Sequence, residues 1–205
     1  MIKLDNKREV VILDYILIYI LVGTFTPGPN NIISSSSSSK IGVIKTLPFM
    51  LGVLLGTFIV FAVISYFNIV FLGNVYYIEK YVGYGGAIYM LYLAYKMISS
   101  ASIENISVIS ADRLFLRGLL MTFINPKAIV YGITATGLFM ASGAELMDLF
   151  IISIFLAILC FISVLVWGAF GYLFMTYLSK HNKIFNIVMA SLLVYSAILL
   201  IFDTL

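Results

Sequence analysis

Long uncharged stretches constrain this chain more than any other feature. Residues 15–39, 46–78, 128–144, 149–179 and 184–202 contain no Asp, Glu, Lys or Arg. Several reach or exceed the roughly 20 residues that cross a bilayer as a helix. Hydrophobic residues make up 62% of the 205 and charged residues only 10%, against roughly 25% charged in an ordinary soluble domain. No soluble core of this length needs so much apolar side chain, so the solvent is itself apolar and the chain is read as an integral membrane protein. The net charge of +3 is spread thinly over loops, which is no footprint for nucleic acid. A single cysteine, Cys160, makes no internal disulfide and leaves the redox compartment open. The first apolar run passes through Pro27-Gly28-Pro29 into a serine tract with no small-x-small cleavage site, so it is expected to be a retained span rather than a leader.

The pattern predicts an all-α membrane protein with six spans, at about 11–36, 44–70, 78–98, 114–139, 149–174 and 184–202. The runs are too long for strands and lack the alternation of a barrel. Glu79, Lys80 and Lys96 flank the third span, where they can snorkel to the interface. The polar stretch Ser99 to Asp112 is the midpoint, and the halves echo each other. Asp14, Thr24 and Phe25 are matched by Asp112, Thr122 and Phe123, each offset by 98 residues. With three spans per half, such a repeat is inverted in the membrane, a recurrent transporter architecture. The whole chain, 1–205, is then one translocator unit with half-repeats about 11–98 and 114–202 and linker 99–113. Loops one, three and five carry seven basic residues and the opposite side four, so the positive-inside rule puts both termini outside.

Two spans are interrupted. Pro27 and Pro29 lack N–H groups, so the carbonyls of Gly23 and Phe25 lose their i+4 donors. Val11 to Pro27 is 16 steps, about 24 Å of helix, which places the break within the bilayer, with Asn30 and Asn31 following inside a turn. An unpaired carbonyl in hydrocarbon costs several kcal/mol, so such backbone faces protein or a wet cavity. In the fourth span Pro126, after Asn125, frees the carbonyl of Thr122. Lys127 stands there in an apolar run, at a cost of roughly 2.5–3.5 kcal/mol for a helix centre. With the two spans antiparallel, the breaks meet and gather carbonyls, half-helix N-termini, Asn side chains and one ammonium. That mixture suits a zwitterion: its carboxylate goes to helix N-termini or Lys127, its ammonium to open carbonyls. The candidate site is therefore Gly23, Phe25, Pro27, Gly28, Pro29, Asn30, Asn31, Thr122, Asn125, Pro126 and Lys127.

These motifs resemble the LysE/RhtB family of amino-acid exporters. The resemblance rests on Thr26-Pro27-Gly28-Pro29-Asn30-Asn31, on Gly42, Gly52 and Gly56, and on the aromatic pattern from Gly86 through Tyr89, Tyr92 and Tyr95 to Lys96. It also rests on Phe115, Gly118, Asn125, Pro126 and Lys127. It covers essentially the whole chain in order. The cysteine/O-acetylserine exporter branch is the most similar, through Thr26 to Ile32, Ile129 to Ala135 and Asn186 to Tyr195. The serine run Ser34 to Ser39 and Ala94 depart from the family pattern. The resemblance implies export of a small amino acid or derivative across the cytoplasmic membrane, driven by the proton gradient, with threonine and homoserine as further candidates. Its partners are then the small amino-acid substrate and the lipid bilayer, and a homo-oligomer is compatible with it. Uptake of another small solute is the alternative, and an intramembrane enzyme a weaker one.

Other features take plainer readings. Neither Gly-x-Ser-x-Gly nor His-Glu-x-x-His occurs, so no catalytic residue is assigned. The sole histidine, His181, lies between Lys180 and Lys183 and argues against a metal site; no cofactor is implied. Ser34 to Ser39 is expected to be a polar helix end and loop, with hydroxyls bonding back to the backbone. Gly52 and Gly56 are expected to serve internal helix packing. Tyr77, Tyr81, Tyr84, Tyr92 and Tyr95 share a helical face and are read as interfacial belt and packing rather than a substrate wall. Asp14 and Asp112 are read as helix N-caps, and Glu145 and Asp148 as a solvated turn.

Overall fold

A computed structural model describes residues 16, 17, 19–71, 75–99, 111–141, 143–177 and 182–203. Asp14, His181, most of the midpoint linker and the side chains of Tyr77, Glu79, Lys80 and Lys96 lie outside the described residues. The described chain is helical throughout. A first helical segment over residues 19–25 (α1) stops at Thr26. It is followed by α2 (Pro29–Ile41), α3 (Val43–Phe71), α4 (Val75–Ser99), α5 (Ala111–Phe123), α6 (Pro126–Ala141), α7 (Leu146–Tyr177) and α8 (Asn182–Asp203). By length and composition α3 and α7 can each cross a membrane. The α5–α6 pair makes a third span if its halves, bent by 58°, count as one.

The helix boundaries follow local chemistry. Both interrupted spans restart on a proline: Pro29 opens α2 and Pro126 opens α6. Proline suits that first position because its missing N–H would have no intrahelical acceptor. Asn125 caps α6, its Oδ1 accepting the N–H of Lys127 at 3.1 Å. Gly42, at φ 85°, separates α2 from α3 and donates its N–H to Ser38 O at 2.9 Å. A side chain there would be strained. Glu145 and Asp148 form more than a solvated turn. The Asp148 carboxylate accepts the Glu145 N–H at 2.9 Å, which caps the start of α7.

Polarity runs inward. Ile44 is 81% exposed and Ile88 70%, and large apolar residues cover the outside of α1, α3, α4, α5, α7 and α8. Thr46, Thr57, Ser65, Asn68, Thr136, Ser153, Ser163 and Ser196 are buried. That distribution is stable only where the surroundings are lipid. Interior polar groups link helices: Asn68 donates to Thr136 Oγ1 at 2.7 Å and to Ile133 O at 3.2 Å, and Ser65 meets Ser153 at 3.1 Å. Tyr81, Tyr92 and Tyr95 point outward, as expected of a belt.

Close packing depends on small residues, since lipid supplies no hydrophobic drive between helices. α3 packs on α5, α6 and α7; α7 packs also on α2, and α4 on α8. Where α3 crosses α5, a Cβ on Gly52 would overlap the Phe115 carbonyl and one on Gly118 the Phe49 carbonyl. Gly52 and Gly56 thus serve internal packing, as the sequence suggests. The serine run corrects its expectation. It is neither helix end nor loop but the body of α2, with Ser34 through Ser38 buried. Its small side chains let α2 lie against Gly168 and Gly171 of α7. Ser34 donates to Val164 O at 2.7 Å, and Ser39 bonds back to Ser36 O at 2.8 Å. Ala94 is buried against Met189 and Ala190, where a methyl group fits.

Gly52→Leu or Gly118→Leu is expected to abolish monodisperse protein in detergent, because overpacking costs about 1–3 kcal/mol even against movable side chains and these contacts are backbone. Gly85→Ala and Gly137→Ala, which face open space, should leave the size-exclusion profile unchanged.

Candidate functional site at the paired helix breaks

The break between α1 and α2 strands consecutive carbonyls, and the four from Thr24 to Pro27 find side-chain donors. Ser163 donates to Thr24 O at 2.9 Å, and Trp167 Nε1 to Phe25 O at 3.2 Å. Thr26 O accepts from Asn31 Nδ2 at 3.1 Å and from the Lys127 ammonium, and Pro27 O accepts from Ser196. These donors come from α2, α6, α7 and α8, so four helices converge on one interrupted turn. A carbonyl-rich helix C-terminus carries partial negative charge. Lys127, at the start of α6, reaches across to that end, which is the favourable place for its charge.

The second break is resolved differently. The carbonyl of Thr122 was expected to lose its donor to Pro126, but it accepts the Asn125 N–H at 3.2 Å in a tightened turn. The Thr122 hydroxyl donates to Gly118 O at 2.9 Å and accepts from Asn30 Nδ2 at 3.1 Å, which ties the two breaks together. Tyr131 adds a second tie: its hydroxyl meets Thr24 Oγ1 at 2.9 Å and Ile20 O at 3.3 Å. Its ring packs on Tyr19 and Phe61.

A cavity of about 40 Å³ opens where the breaks meet, room for roughly three waters. Of the candidate residues, Gly23, Gly28, Asn30, Asn31, Asn125 and Lys127 line it. Pro27, Pro29, Pro126 and Thr122 are not among the lining residues. Phe25 departs from expectation: its side chain is 36% exposed on the outer surface and only its carbonyl is used, by Trp167. The glycines give space rather than unusual backbone. A Cβ on Gly28 would lie 2.6 Å from Lys127 Cδ, and one on Gly23 2.7 Å from Tyr131 Cε2. Thr24, Thr57, Phe61, Tyr131 and Cys160 also line the cavity. Thr24 is flagged in the sequence by the half-repeat. The others, with Ser163, Trp167 and Ser196, sit in apolar runs with no local signal.

A bundle that is apolar outside, with interrupted helices around a buried polar cavity holding one ammonium, defines a membrane protein with a polar interior. Residues 21–204 match the LysE type translocator family, and the chain belongs to it. It is a transporter rather than an enzyme. It is 29% identical over 183 residues to the cysteine/O-acetylserine efflux proteins of Escherichia coli strain K12 and of Shigella flexneri, covering 88% of this chain and 92% of each relative. No solved structure matches.

Ser163→Ala leaves Thr24 O without its donor at a position where the helix supplies none. It should lower unfolding free energy in detergent by about 1–3 kcal/mol, seen as a lower denaturant midpoint, while Ser163→Thr keeps most of it.

Proposed function

We propose that this protein exports small amino acids or their derivatives of the cysteine and O-acetylserine kind, with threonine and homoserine as further candidates. The observation that carries the reading is the Lys127 ammonium held at the α1 terminus, inside the cavity that Asn30, Asn31 and Asn125 also line. The lining has one cationic side chain and no carboxylate. A substrate carboxylate supplies the matching charge and draws Lys127 from the Thr26 carbonyl. The naming of the relatives as efflux proteins supports the outward direction and the substrate class. Proton-gradient drive rests on the resemblance to the exporter family.

The same reading arranges the chain as six spans in two inverted halves, each with its interruption in the first span, and places both termini outside the cytoplasmic membrane. The matched interruptions at Pro27-Gly28-Pro29 and Asn125-Pro126-Lys127 support the halves, and the loop-charge bias supports the orientation.

In proteoliposomes, a panel of labelled amino acids should give counterflow for cysteine, O-acetylserine or threonine, accelerated by an imposed pH gradient. Lys127→Ala and Pro27→Ala should abolish it with membrane insertion intact, and Gly28→Ala should reduce it by displacing the lysine. Deletion of the gene should sensitise cells to toxic amino-acid analogues; resistance instead would reverse the direction.

A further inference from the structure

We propose that the carboxamide oxygen of Asn30 accepts the substrate's α-ammonium, which makes a free primary amine a condition of transport; this rests on the export reading above. The orientation of the Asn30 amide follows from proton bookkeeping. The one hydroxyl proton of Thr122 goes to Gly118 O, so Thr122 can only accept from Asn30, and it does so from Nδ2. Asn30 Oδ1 therefore faces the other way and has no hydrogen-bond donor among the described residues. Asn30 is only 7% exposed and lines the cavity. A buried carboxamide oxygen with no donor is costly, and such groups are rare without a purpose.

The sequence alone assigns the ammonium to open carbonyls of the α1 break, and the structure takes four carbonyls there, Phe25 among them, out of use. Thr24, Phe25, Thr26 and Pro27 already hold donors from Ser163, Trp167, Lys127 with Asn31, and Ser196. Asn31 Oδ1 offers a second acceptor. Its described contact, Ser163 at 3.5 Å, is long, and the Ser163 hydroxyl is committed to Thr24 O at 2.9 Å. An ammonium carries three donors, so it can satisfy both carboxamides, while the carboxylate on the same carbon turns to Lys127. An acylated amine is uncharged and keeps a single N–H, and its acyl group needs space where the Asn30 side chain stands.

O-acetyl-L-serine and N-acetyl-L-serine test this directly, since they are isomers that differ in whether the amine is free. Counterflow of labelled O-acetyl-L-serine by the full chain in proteoliposomes is run at mildly acidic pH, where the acyl group stays on oxygen. Each unlabelled isomer serves as competitor. The expected result is a preference for the free amine of roughly tenfold to a hundredfold, the range for a lost charge-assisted hydrogen bond. Asn30→Leu should narrow that preference and raise KM, whereas Asn30→Asp, which keeps an acceptor oxygen, should preserve it. Equal competition by the two isomers in the wild type overturns the proposal and leaves export standing. So does an Asn30→Leu protein that loses rate with the preference unchanged, the signature of a merely structural role. If Asn30→Leu does not insert, the wild-type competition and Asn30→Asp decide. A wild type that moves no amino acid of the panel overturns export, and this proposal with it.

Discussion

The four consecutive carbonyls from Thr24 to Pro27 are the constraint around which the rest of this structure is arranged. Water would satisfy them at a protein surface, but in a bilayer interior every such group must be met by protein. The donors are a serine and a tryptophan of α7, the lysine that begins α6, an asparagine of α2 and a serine of α8. Those helices are thereby drawn to one depth, and the cavity lies there because an interrupted turn cannot be packed as densely as a continuous helix. The interruption thus contributes both architecture and site.

The two breaks are alike in sequence and unlike in chemistry. At the second, the turn closes on itself through Asn125, whose backbone N–H meets Thr122 O and whose side chain caps α6. What it offers a partner helix is side chains: the Thr122 hydroxyl, which accepts from Asn30, and Lys127, which crosses to the first break. Two breaks with matched prolines therefore yield an asymmetric cavity. One break supplies a carbonyl terminus and two carboxamides, the other an ammonium and the Asn125 carboxamide. An amino acid has the same asymmetry about its α-carbon.

Small side chains make this arrangement possible. Gly52 and Gly118 let α3 and α5 approach until a methyl group would collide with backbone, and the serines of α2 play the matching part against Gly168 and Gly171. Serine serves here because it is small and can donate within or across helices, as Ser34 does to Val164 O. Buried hydroxyls that would be costly in an oily core are tolerated when they allow helices to touch.

Much of the fold was legible from the order of residues. Uncharged runs, prolines inside them and an isolated lysine follow from transfer free energies and from the missing N–H of proline, which are local properties. They located both interruptions, and they marked Gly28, Asn30, Asn31, Asn125 and Lys127 as neighbours of a polar niche. The same reasoning erred wherever the outcome depended on who stands opposite. It left the break's carbonyls open because Ser163, Trp167 and Ser196 lie over a hundred residues away in apolar stretches without distinguishing pattern. It counted Phe25 with the niche although Trp167 takes its carbonyl, and it made a loop of serines that a facing glycine pair holds in a buried helix. Sequence by itself determined that the chain lives in lipid and where its helices must fail. Only tertiary structure decided which donors repair the failure and that Asn30 Oδ1, like the hydroxyls of Ser35, Ser36 and Ser38, goes without a partner, because hydrogen-bond satisfaction is settled between distant segments and leaves no trace in either one alone.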